Sequence, residues 1–140
     1  MKTNFEFNFS AGKTRDQFMS LEIKVKDQLS MPITVTEKFT TNITIDLPAE
    51  IEFHLIGRDR NDTIVEDNKI IADKFISLDS LNIDGFSVDG WQLPNEFFKL
   101  IVDKHTTTFG NYWNNNGVAK LIIDEDDPVL WLLECPKITS

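Results

Sequence analysis

Apolar and polar residues alternate along most of this chain, with a period of two. Phe5, Phe7 and Phe9 alternate with Asn4, Glu6 and Asn8, and Leu21, Ile23 and Val25 alternate with Glu22, Lys24 and Lys26. Ile33 and Val35 begin another run after Pro32. Ile43, Ile45 and Leu47 lead up to Pro48, and Ile51, Phe53 and Leu55 alternate with Glu52 and His54. Successive side chains of a strand point to opposite faces, so these runs predict strands with one dry face and one wet face. Between them, residues 10–15 (SAGKTR) read as a loop. Residues 57–74 read as a broad Asp-rich connection with a small hairpin around Ile64-Val65 and Ile70-Ile71. Beyond it the parity changes: Ile76 and Leu78 are even, Leu81 and Ile83 odd. One extra residue in a strand produces that switch, so a β-bulge or bend is expected near Asp79 and Ser80.

Asp84-Gly85 and Asp89-Gly90 are tight-turn dipeptides on either side of a short strand, 86–88. Pro94, Asn95 and Glu96 resemble a helix start, with Phe97, Phe98, Leu100 and Ile101 at helical spacing after them. A strand over 97–102 fits the same residues. Residues 106–113 are β-prone, 114–117 (NNNG) form a turn, 118–124 a strand, and 129–133 a buried strand or a short helix. Short strands at regular turn spacing predict an all-β fold. The expectation is an antiparallel β-sandwich, jelly-roll-like, with at most one or two short helices. No repeat or low-complexity linker divides residues 1–140, so a single domain is expected.

Composition sharpens this picture. At 140 residues and 41% hydrophobic the chain can build an ordinary core. Eleven Phe against one Tyr places large apolar area with no polar handle in that core. The net charge is −9, which disfavours phosphate backbones and anionic lipid surfaces, so neither nucleic acid nor membrane is an expected partner. Cys135 is the only cysteine, so it has no intrachain disulfide partner and a Cys-based zinc site lacks its ligands. It follows an apolar run and reads as a small buried hydrophobe. No stretch has the form of a signal peptide or a membrane span, so synthesis in a cytoplasm is expected.

Candidate chemistry is confined to aspartates and aromatics. Asp59, Asp62, Asp67, Asp73 and Asp84 sit on connections that can converge at one sandwich edge. A calcium ion needs six to eight oxygens, whereas turn capping needs only single carboxylates, and both readings stay open. The acidic run 124–127 reads as a solvated loop. Trp91, Tyr112 and Trp113 lie next to turns, where aromatic faces can stack on sugars or dock on proteins; Trp131 lies in an apolar run and is assigned to the core. His54 and His105 lack the spacing of a metal pair. There is no G-x-S-x-G elbow, P-loop or G-x-G-x-x-G, and no enzyme activity is expected.

Gly57, Asp62-Thr63, the step Asp73-Lys74-Phe75-Ile76, the turn Ile83-Asp84-Gly85 and the segment 113–117 form a pattern over roughly the last 90 residues. That pattern resembles small β-sandwich proteins of marine tailed phages. The resemblance implies a non-catalytic virion component, a capsid decoration or tail accessory, acting by protein–protein docking as a homo-oligomer or within a larger assembly. The strand carrying Phe5, Phe7 and Phe9 would then pair with another chain's sheet edge. The aspartates and tryptophans are also similar, more weakly, to those of calcium-dependent xylan-binding carbohydrate-binding modules. That similarity implies the alternative, a glycan-binding module using Trp91, Tyr112 and Trp113. No cofactor is required in either reading, with calcium admitted in the second.

Overall fold

The computed structural model describes residues 2–57, 64–89, 98–102, 105–108, 111–113 and 116–133. In chain order the elements are β1 (Lys2–Gly12), β2 (Ser20–Val25), β3 (Leu29–Ile33), β4 (Lys38–Asp46), β5 (Ala49–Ile56), β6 (Ile64–Glu66) and β7 (Lys69–Ala72). They continue with β8 (Phe75–Ile83), β9 (Phe86–Asp89), β10 (Phe98–Val102), β11 (His105–Thr108), β12 (Tyr112–Trp113), β13 (Gly117–Ile123) and α1 (Pro128–Leu133). One sheet has the order β12-β8-β1-β4, with β9 also on β8; the other runs β11-β10-β13-β5-β2-β3. The recorded pairings are antiparallel, and the chain changes sheet repeatedly, which gives the sandwich its jelly-roll-like winding. β6 and β7 form a separate hairpin inside the connection after β5.

The Phe-rich alternation builds the core. Phe7 and Phe9 of β1 meet Phe53 of β5 across the two layers, edge-on at 5.3 and 6.1 Å, and Phe5 stacks beside Phe7. Phe39 stacks on Phe9 at 4.9 Å, and Trp113 packs on Phe53 at 5.0 Å. The parity switch in β8 is a register shift: Asn8 pairs with Ser80 and Phe9 with Leu78, so Asp79 is the extra residue. Ile76, Leu78, Leu81 and Ile83 are all buried despite their mixed parity.

Two local expectations change, and two open alternatives are decided. The first strand runs on to Gly12 rather than ending at a loop from Ser10, because it keeps pairing with β8 up to Phe75. Pro32 lies inside β3, an edge strand where a missing N–H is tolerated, instead of preceding a strand. Of the two readings of 97–102, the strand is found, with β10 held between β11 and β13. The last apolar run is the short helix α1, with Trp131 fully buried.

The strand carrying Phe5, Phe7 and Phe9 requires a larger correction. β1 is bonded on both sides, to β4 and to β8, and all three rings point into the core. A strand with both edges satisfied has no backbone groups left for another chain, so β1 is not an assembly edge.

Candidate functional site

One rim of the sandwich gathers an aromatic pair and a carboxylate. β12 pairs with the start of β8, Tyr112 opposite Ser77 and Trp113 opposite Ile76. Neighbouring residues on a strand face opposite ways. Trp113 is therefore fully buried, while Tyr112 is 44% exposed on the outer side. Phe75 stacks against Tyr112 with centroids 4.7 Å apart and planes 24° apart. The Tyr112 hydroxyl donates to Asp73 Oδ2 at 3.0 Å. Asn111 anchors the base of the strand: its Nδ2 donates to Leu78 O at 2.8 Å, and its own carbonyl accepts from Leu78 N at 2.8 Å.

The supports behind this platform explain its position. At Gly12 a Cβ would overlap Phe75 Cε1 and lie 2.7 Å from Asp73 O, so only glycine lets Phe75 and Asp73 close in on β1. Lys74, itself buried, donates from Nζ to Gly57 O at 3.0 Å and ties the end of β5 to the same rim. Gly57 has φ +95°, a left-handed conformation that glycine adopts without strain. Sequence reasoning missed Asp73 as a tyrosine anchor, and also Gly12, Lys74 and Phe75. The signal lay in the dipeptide Tyr112-Trp113: on a strand its two rings cannot share one face, so one of them had to be core.

The other expected site residues are dispersed. Trp91, Asp59 and Asp62 lie outside the described residues. Trp113 is corrected from a binding face to the core, where Phe9 and Phe53 cover it. Asp67 sits in the β6–β7 turn with φ +50°. Asp84, with φ +47°, closes the β8–β9 turn, and its Oδ1 accepts from Asn4 N at 2.9 Å. Asp73 and Asp84 flank opposite ends of β8, about 30 Å apart at roughly 3.3 Å per residue. They cannot share one ion, whose ligands must all lie about 2.3–2.6 Å from it. Among the described residues no three His, Cys, Asp or Glu side chains converge as metal ligands. Asp67 and Asp84 are turn residues, and Asp73 holds the Tyr112 hydroxyl.

A second surface lies on the outside of the six-stranded sheet. Lys120 reaches Glu50 at 3.7 Å and Glu52 at 3.5 Å, and His54 Nε2 lies 2.9 Å from Glu52 Oε1. Partial burial pushes the Glu52 carboxyl up, but the His54 hydrogen bond and the Lys120 charge outweigh it and hold the group below its ordinary value of 4.5. Beside this row is a hollow of about 360 Å³ whose walls include Glu22, Pro32, His54 and Ile56. Among the described residues no Phe, Tyr or Trp lines it.

No protein-family model and no curated protein matches the sequence. Among solved structures, the selenomethionine form of vCBM60, a calcium-dependent carbohydrate-binding module, aligns with a TM-score of 0.52. The identity is 10%, over 86% of this chain and 90% of that one. The complex of vCBM60 with galactobiose aligns with a TM-score of 0.49 at 10% identity, over 85% and 97% of the two chains. The first likeness agrees with the two-layer sandwich, and at this identity it speaks of the fold alone.

Proposed function

We propose that this protein is a non-catalytic carbohydrate-binding module whose contact surface is the Tyr112 platform. The observation that carries the reading is a half-exposed ring fixed from three sides, by Phe75 beneath it, Asp73 at its hydroxyl and Ser77 along its backbone. The C–H face of a sugar stacks on such a ring, and a ring that is already immobile loses little entropy on binding. The Asp73 carboxylate lies at the ring's hydroxyl and carries acceptor oxygens for sugar hydroxyls. The same fold serves calcium-dependent carbohydrate binding in vCBM60, which supports the reading without fixing the sugar. The virion role expected from the phage resemblance gains no support, and the strand that was to carry it is internal.

The test is an oligosaccharide array followed by calorimetric titration of the best ligand. Tyr112→Ala should weaken binding at least about tenfold, the scale of one lost aromatic stack. Tyr112→Phe, which keeps the stack and loses the Asp73 anchor, should cost less. Absence of any glycan binding by folded protein, or full binding by Y112A, would refute the platform. A fall in affinity on adding EDTA would give calcium a part and leave the claim for Tyr112 standing.

A further inference from the structure

We infer that β4 is a docking edge for a second copy of this chain. Among the described residues β4 is the last strand of its sheet, and its partner is β1 alone. Backbone groups along such a strand alternate between the partner side and the open side. Glu37 O accepts from Ala11 N and so faces β1. At the ends of β4 the open side is closed by side chains. Thr36 Oγ1 donates to Lys38 O at 2.8 Å, while Gln28 receives Asp46 N at 2.6 Å and donates to Asp46 O at 3.2 Å. Alternation therefore turns the N–H and C=O of Thr40, Asn42 and Thr44 outward. Among the described residues nothing pairs with these six groups. The other edge strand on this side, β3, is blunted by Pro32. β4 carries no proline, no bulge and no inward-pointing charge.

The sequence of β4, KFTTNITID, is complementary to itself when reversed. Antiparallel pairing about a two-fold axis at Asn42 sets Thr40 against the second copy's Thr44 and Asn42 against its own counterpart. At each end it sets Lys38 against the second copy's Asp46. The three central pairs satisfy all six open groups of each copy with six hydrogen bonds, and the two end pairs oppose unlike charges. Sliding the register by two residues loses both charge pairs. Beside the edge, a groove of about 310 Å³ has one apolar wall, Met31, Pro32, Ile33 and Phe39, and one polar wall that includes Thr40 and Asn42, for the second copy to cover.

Sedimentation equilibrium from about 1 μM to about 1 mM tests this, over the affinity range in which a short strand addition is measurable. The expected result is reversible formation of a species with twice the chain mass of 16.1 kDa. Asn42→Pro removes both central N–H donors without touching a bond to β1, and should raise the dissociation constant by about 10- to 100-fold. Asp46 also meets Lys2 of its own copy at 3.7 Å, so K38D should weaken the pair several-fold by setting carboxylate against carboxylate at both ends, and K38D with D46K should restore it. Circular dichroism checks that each variant is folded; if N42P is not, the charge reversal and its rescue decide. A monomer throughout, a higher oligomer, or a dimer indifferent to both N42P and K38D would overturn the proposal.

Discussion

Glu52 shows how a single side chain couples the outer face of the larger sheet to pH. It stands between Lys120 on β13 and His54 two residues on, and these contacts outweigh its partial burial, so its carboxyl ionises more readily in the folded chain than in the unfolded one. A depressed folded value stabilises the protein above the unfolded value of 4.5, and that contribution is lost as pH falls through the lower folded value. The side chains are 25–30% exposed, and solvent screening should keep the effect under about 1 kcal/mol. Glu52→Gln should therefore lower the urea midpoint at neutral pH and match the wild type once the pH is well below 4.5. An equal gap between the two proteins at every pH would mean that Glu52 acts through packing rather than charge. Gly12 works by space instead: its missing Cβ sets how closely Phe75, and through it Tyr112, lies on β1.

Among the elements, β8 is the strand whose irregularity does most. Asp79 adds one residue between two buried pairs, Ile76 with Leu78 and Leu81 with Ile83. Deleting Asp79 would flip one pair onto the wet face and strand two large aliphatics in water, at about 1.5–3 kcal/mol each. The deletion should collapse the thermal transition. Asp79→Ala, which loses only the Ser10 hydrogen bond, should shift stability by about 1 kcal/mol or less. Equal melting of both variants would show that the bulge is not what keeps the face dry. This feature was legible in the chain because parity is a local signal. The Phe alternation and the Trp131 core position were legible for the same reason. The flanks of β1 were not, since β4 and β8 follow it by tens of residues and nothing local says that a strand is central. The proposed binding rim was half legible. Tyr112 stood out beside a turn, but Asp73, Gly12 and Lys74 reach it only through pairing between distant strands.

At the scale of the whole molecule, the two proposed surfaces lie on opposite edges of one sheet. The order β12-β8-β1-β4 puts the Tyr112 platform at one side and the docking strand at the other. Joining two copies through β4 makes a continuous sheet with a platform near each outer edge. Seven strand spacings separate the two β12 strands, about 33 Å at roughly 4.7–4.9 Å each, before twist is counted. A soluble di- or trisaccharide is too short to bridge that span, whereas an insoluble polysaccharide or a densely glycosylated surface offers sites to both platforms at once. The second contact is then intramolecular and can raise the overall affinity by about 10²-fold or more. Wild-type protein should thus cling to an immobilised polysaccharide far more tightly than N42P does, while both bind a short soluble oligosaccharide alike by calorimetry. Tyr112→Ala should lose both kinds of binding. Equal retention of wild type and N42P on the polysaccharide, with a dimer demonstrated in solution, would mean that the two platforms do not act together.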